Sequence, residues 1–372
     1  MKKSRPATAT QLYTPRVTLA AIGLKIRSLK LLDALAEHVH IRQKTIKHTP
    51  IEKLTDAFIA ILSGAHGLCE VNTRVRTDPA LQRAFGRAVC AEQSVIQETL
   101  SACRGENVVE MEEAVDAIFR AHSQTYQHNY QAGLLLLDID LTGLPCGKRA
   151  ELALKGYFSQ ERARYGRQMG RVTAARYNEV VVDRLYPGNL QLQTTMPHLV
   201  EAMEKTLLLD EAKRARTVLR IDAGGGSMKG INWLLERGYH VHCKDLSSRR
   251  AAHYALSVKE WMDDPSHRKR QLGWAIVKSG DYARPVRRLA MRWRKRNGQK
   301  CHAMLISTLE PKEVMELLGE PPEKTEDAQA VLLAYAHLYD ERGGAVEIEI
   351  KESKQGLGIA KRNKKAIADS RW

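Results

Sequence analysis

The chain lacks any Cys-x-x-Cys pair and any His and Cys cluster at zinc-binding spacing, although cysteines stand at 69, 90, 103, 146, 243 and 301. A zinc ribbon and a paired-cysteine redox centre are excluded, and the thiols read as buried and reduced. No apolar core of signal length follows the basic start Met1-Lys2-Lys3-Ser4-Arg5-Pro6. No apolar run approaches the roughly 20 residues that cross a bilayer. No membrane partner is therefore expected, and the cytoplasm is the expected location. Internal repeats and low-complexity tracts are also absent, which sets aside solenoids and disordered arrays.

What is present is a chain of 372 residues, 43% of them hydrophobic, enough for two or three domains with substantial cores. Lys and Arg number 59 against 43 Asp and Glu, a formal charge of +16. Such an excess favours a polyanion, because each neutralised phosphate releases condensed counterions. A basic but inert surface would carry the same charge.

Apolar residues recur at three- and four-residue steps from Leu19 to about Thr125 (Leu29, Leu32, Ala36; Leu54, Phe58, Ile61), which predicts an all-helical region within residues 1–130. The Ala91 to Cys103 helix, with Ile96 and Leu100, fits either core packing or a part in DNA binding and dimerisation. The texture changes at Leu134. Leu134-Leu135-Leu136-Leu137-Asp138-Ile139-Asp140 reads as a buried strand ending in acids, with further strands at Gly166–Ala174 and Asn178–Leu185. A helix fits Pro197–Leu209, a strand Val218–Asp222, a helix Ser227–Arg237 and a strand Tyr239–Lys244. Residues 131–245 thus form the first part of an α/β core. Residues 246–325 leave that alternation and read as an inserted basic subdomain. Arg284 to Lys300 carries eight cations around Trp293, among them Arg292, Arg294 and Arg296. That stretch is either a solvated face or a track for phosphates with Trp293 stacking on an unpaired base. Residues 326–372 return to the core as its final helices.

Three acids at separate segment ends carry the candidate chemistry: Asp140, Asp222 before Ala223-Gly224-Gly225-Gly226, and Glu347. Carboxylates from different elements are what a pair of hard cations needs to clamp the oxygens of a phosphodiester. Asp138 competes with Asp140, because strand alternation puts both on one face. Glu349 competes with Glu347. By itself Val346-Glu347-Ile348-Glu349-Ile350-Lys351 has the period of a strand.

Together these residues resemble a family. Asp140-x-Thr142 after an apolar strand, Gly156-Tyr157-Phe158, Gly166-Arg167-Gln168-x-Gly170-Arg171 and Leu219-Arg220-x-Asp222-x-Gly224 look like the DDE transposases of bacterial insertion sequences. Tyr339-x-x-Arg342, Glu347 and Lys354 look like their Y-R-E-K signature, with one extra residue between Arg342 and Glu347. The resemblance spans residues 134–365. It implies an RNase H-like core with a helical domain before it and a subdomain inserted in it. It also implies Mg²⁺ or Mn²⁺ held by Asp140, Asp222 and Glu347 with Asp138 in support, and a helix rather than a strand around Glu347. Tyr339, Arg342 and Lys354 would contact DNA phosphates. The expected partners are terminal inverted repeats and target DNA, bound by a homodimer assembled on the nucleoid. The chain ends 25 residues after Glu347, where relatives continue with further helices, so a truncated, non-catalytic DNA-binding remnant is one alternative. The other is an S-adenosylmethionine-dependent methyltransferase, with Asp222 and the glycine turn at the cofactor and Asp245 on its ribose.

Overall fold

The computed structural model describes residues 11–44, 47–158, 161–277 and 280–359. They form a mixed α/β protein with one large sheet and many helices, divided into two compact units. The first unit holds the described residues through Ala121, Arg149–Glu151 and those from Glu352 onward; the second holds His122–Lys148 and Leu152–Lys351.

The first unit is helical: α1 (Val17–Ser28), α2 (Asp33–His38), α3 (Pro50–Leu62), α4 (Val71–Arg74), α5 (Pro79–Ala84), α6 (Gln93–Ala102) and most of α7 (Gly105–His122). α3 begins where a start signal is complete. Pro50 fixes the first helical residue, and Thr49 and Glu52 bond reciprocally to each other's backbone N–H. Ile59, Val71, Val75, Leu81 and Ile96 are fully buried together. Ile96 and Leu100 of α6 belong to this core, so their spacing reflects packing. Arg87 closes the unit with a buried pair to Asp56, Nε to Oδ1 at 2.8 Å.

The second unit is built on a ten-stranded sheet. Its strands are β1 (Leu135–Pro145), β2 (Leu154–Phe158), β3 (Glu161–Ala174), β4 (Glu179–Pro187), β5 (Thr217–Ile221), β6 (His240–Lys244), β7 (Met262–Asp263), β8 (Gln271–Trp274), β9 (Arg287–Arg294) and β10 (Lys300–Ser307). The spatial order is β2-β3-β1-β5-β6-β10-β9-β8-β7, with β4 also paired to β3. β1, β5 and β6 run parallel, and β3 and β4 form an antiparallel meander on one side. The connecting helices are α8 (Leu192–Leu207), α9 (Glu211–Arg214), α10 (Met228–Glu236), α11 (Ser248–Tyr254), α12 (Pro311–Leu318) and α13 (Ala328–Gln355).

Strand alternation sorts β1 between two layers. Leu134 and Leu136 pack with Val218, Leu305, α12 and the α13 residues Val331, Tyr335 and Leu338. Leu135, Leu137 and Ile139 are buried on the opposite face, where α8 touches β1, β3 and β4. Asp138 and Asp140 therefore point toward the face covered by α13.

Residues 246–325 contribute strands to the same sheet: β10 pairs antiparallel with β6 and carries β9, β8 and β7 outward. Leu272, Leu289, Met291 and Leu305 share one core with Leu136 and α13. The cations around them obscured two ordinary strands. The Gly156-Tyr157-Phe158 motif lies on β2. Residues 346–351 have the period of a strand but are helical in α13, as the resemblance implies.

Candidate active site

Two rows of side chains cross the sheet beneath α13. The first follows the strand register Thr173–Asp138–Arg220–His242–Ser307, over β3, β1, β5, β6 and β10. All five residues are buried. Arg220 grips Asp138 with two bonds of 2.7 Å, Nε to Oδ1 and a terminal guanidinium nitrogen to Oδ2. Its other terminal nitrogen donates to the Leu338 carbonyl of α13 at 2.5 Å. His242 sits between the Tyr335 carbonyl, 3.0 Å from Nε2, and the Ser307 hydroxyl, 3.1 Å from Nδ1. Burial and the Arg220 charge push its pKa down to about 3, so the ring is neutral. Nε2–H then donates to the carbonyl and Nδ1 accepts from Ser307.

The second row lies two residues along each strand, where the face opens to solvent. Arg171 pairs in register with Asp183 on β4 and Asp140 on β1. One step beyond the pairs Ile139–Ile221 and Ile221–Cys243, Asp140 stands beside Asp222 and Asp222 beside Lys244. The row reads Asp183, Arg171, Asp140, Asp222, Lys244, so two carboxylates are neighbours between flanking cations. Arg171 is occupied by Asp183 at 2.7 Å. Arg342 of α13 reaches Asp140 Oδ1 at 3.2 Å and the Ile139 carbonyl at 3.1 Å, while its Nε is buried without a partner. Burial raises the Asp140 carboxyl above the usual range, and Asp222 adds to the rise. Arg342 and the Leu141 N–H oppose it. Asp222 Oδ1 accepts the Gly224 N–H at 2.8 Å, which turns the chain at the strand end.

Lys244 was not singled out by sequence. Its ammonium lies 4.7 Å from the centre of the Tyr339 ring, and burial lowers its pKa. Among the described residues no carboxylate comes within salt-bridge distance of it. The only signal for it was its place two residues after His242 on the strand beside Asp222.

Other expected site residues are placed differently. Asp138, expected in a supporting role, is buried and accepts one bond from Arg220 on each carboxylate oxygen. Glu347 is exposed, whereas Glu349 is half-buried, two helical turns from Arg342, and accepts the Thr173 hydroxyl at 3.1 Å. Burial raises the Glu349 carboxyl, with Arg171 opposing. Tyr339 and Arg342 are buried against the sheet rather than displayed on a surface. Lys354 is half-buried in the last turn of α13. Arg292 bonds Gln271 at 2.7 Å and lies over the Trp261 ring at 4.1 Å. Trp293 is half-buried and packs against the core. Arg294 and Arg296 are exposed at the β9–β10 turn.

The glycine turn after Asp222 is filled by the protein. A Cβ on Gly226 would lie 1.7 Å from the Lys244 carbonyl oxygen, and one on Gly225 would meet Ile221 and Leu192. Asp245 is held by Arg250 through two bonds of 2.6 Å. The glycine turn and Asp245 are thus both engaged by the protein's own atoms in this structure.

A second cluster, Asp264, His267 and Asp340, brings ligand atoms within 4.8 Å of one another. Arg270 bonds both carboxylates there, to Asp340 Oδ1 at 3.0 Å and to Asp264 Oδ2 at 2.5 Å, and so offsets part of their charge.

No family model and no curated protein matches the chain. Among solved structures it is similar to a piggyBac transposase in a synaptic complex with hairpin DNA, at a TM-score of 0.40 and 10% identity. That likeness covers 95% of this chain and 76% of the other. No helix among the described residues is long and apolar enough to cross a membrane.

Proposed function

We propose that this chain is a DDE-type DNA transposase of the insertion-sequence class. It would cleave DNA strands at transposon ends and join them to target DNA on an RNase H-like core formed by β1, β3, β4, β5 and β6. The observation that carries this reading is the pair Asp140 and Asp222, side by side on parallel strands where the sheet face opens. Like charges directly opposite one another destabilise a sheet unless a cation offsets them. Half-buried carboxylate oxygens of this kind suit Mg²⁺ or Mn²⁺, which take hard oxygen ligands. The third carboxylate on this reading is Glu349, which faces the sheet, in place of the outward Glu347. When bound, the metal supplies positive charge at the attacking and leaving oxygens.

Water attacks phosphorus and the bond from phosphorus to O3′ breaks, leaving a 5′-phosphate and a 3′-hydroxyl; that hydroxyl would later attack a target phosphodiester, whose own O3′ leaves and takes up the proton. Lys244 and Arg342 flank the two aspartates and would face the phosphate oxygens, Arg342 shifting off Asp140 to do so. The exposed Arg294 and Arg296 would track the duplex backbone, and a homodimer would assemble on the paired ends in the nucleoid.

The test uses duplexes carrying the sequences that flank the gene. Wild type should nick them only with Mg²⁺ or Mn²⁺, and Asp222→Asn should abolish nicking while duplex affinity stays within about threefold of wild type. A wild type that binds without cleaving, or an Asp222→Asn protein that cleaves normally, would overturn the reading.

A further inference from the structure

We infer that the β2–β3 ribbon is a binding site for an unpaired DNA strand. Among the described residues β2 lies at the sheet edge and pairs with β3 alone. Tyr157 is 62% exposed and Leu154 44%. Lys155, Tyr157, Arg162 and Ala163 are exposed and line one shallow cleft with Gly156. Tyr157 stands opposite Arg162 in register, and Lys155 lies 5.7 Å from the ring centre of its own cross-strand partner, Tyr165. The nearby acid, Glu161, is paired with Arg164 at 3.4 Å, so Lys155 and Arg162 leave the cleft positive.

The ribbon's base is fixed. Phe158 is 1% exposed, and its ring fills the space above Gly143 and Gly166, where an added Cβ would come within 2.4 and 2.7 Å of it. A Cβ on Gly156 would lie 2.3 Å from the Gly188 carbonyl oxygen. A register shift at Gly156/Tyr157 and the left-handed Ala163 (φ 57°) bend the free end. The core therefore takes Phe158 and leaves Tyr157 outside, among cations, on a rigid mount. An exposed ring beside two cations is the chemistry that stacks an unpaired base and holds its neighbouring phosphates. A paired duplex offers no open base face to such a ring. Gly143 lies three residues past Asp140, about 10 Å along the strand, so the ribbon is mounted near the proposed cleavage site. The inference does not need cleavage to be true.

Equilibrium binding of the full chain to oligodeoxythymidylate tests it, without metal. Tyr157→Ala should weaken binding about 5- to 100-fold, the range that loss of one stacked base gives, and Tyr157→Phe should keep it. Arg162→Ala and Lys155→Ala should each flatten the slope of log affinity against log salt by about 0.7. Thermal melting should be unchanged in all four, since these side chains are exposed. Affinity unaltered by Tyr157→Ala would overturn the inference. So would an equal loss on fully paired duplex, or a loss of self-association with strand binding intact, which would make the ribbon a contact between copies. If these results hold but Asp222→Asn still cleaves, only the transposase reading fails. If cleavage behaves as proposed and Tyr157→Ala binds normally, only the ribbon is wrong.

Discussion

Arg220 and Asp138 form a two-bond ion pair at 2.7 Å with both side chains almost wholly buried, and the same guanidinium holds the Leu338 carbonyl of α13. The pair occupies the strand position next to the two open carboxylates. It links β1, β5 and α13 through charge rather than apolar contact. Alternation puts Asp138 and Asp140 on one face, yet their partners differ: Asp138 is paired with Arg220, and Asp140 with Arg342 through Oδ1 alone.

Removing either partner leaves an uncompensated buried charge. Asp138→Asn or Arg220→Met should therefore cost about 3–5 kcal/mol in urea unfolding. Replacing both, as Asp138→Leu with Arg220→Met, should recover much of that loss. A metal-ligand role for Asp138 makes the opposite forecast. In that case Asp138→Asn would leave unfolding nearly unchanged and abolish the Mn²⁺-induced rise in melting temperature.

His242 should make the second unit acid-sensitive. Its folded pKa, about 3, lies below the unfolded 6.5, so between those values the unfolded chain binds the additional proton. The stability from the neutral ring is fully present above about pH 6.5 and is lost as pH falls toward 3. The loss approaches 1.4 kcal/mol per pH unit within that window. Urea midpoints measured between pH 7 and pH 4 should fall steeply in wild type and less steeply in His242→Asn. Equal slopes would show that the ring is hydrated or already charged.

The strands of the α/β core were legible as compact apolar runs with clear ends. Leu134 to Leu137 is continuous and closes on acids, and the Asp222 glycine turn marks a strand end. The added strands were not legible. In Arg287–Arg294 only Leu289, Ala290 and Met291 are apolar in succession, and cations flank them on both sides, so the run is too short to announce a buried strand. The partner of Asp138 was hidden as well, since an arginine in an apolar strand announces burial only once its neighbour's register is known. Residues 360–365, the end of the family resemblance, lie outside the described residues.

For the third carboxylate, family spacing and helix phase point to different residues, Glu347 and Glu349. The family spacing selects Glu347, yet α13 turns that residue outward. Glu349 follows Arg342 by seven residues, nearly two full turns, and so lies on the sheet-facing stripe with Tyr335 and Arg342. Its carboxylate already meets Thr173 of β3. Glu349→Gln should reduce metal-dependent nicking by at least about 100-fold, since one ligand charge is lost at the reacting phosphate. Glu347→Gln should change it less than about threefold, and duplex affinity should hold in both. Melting curves with Mn²⁺ add a readout that needs no activity: the cation should raise the melting temperature of wild type and Glu347→Gln more than that of Glu349→Gln. The reverse pattern, with Glu347→Gln inactive and Glu349→Gln intact, would mean that α13 rotates when metal and DNA bind. The orientation it has here would then be a resting one.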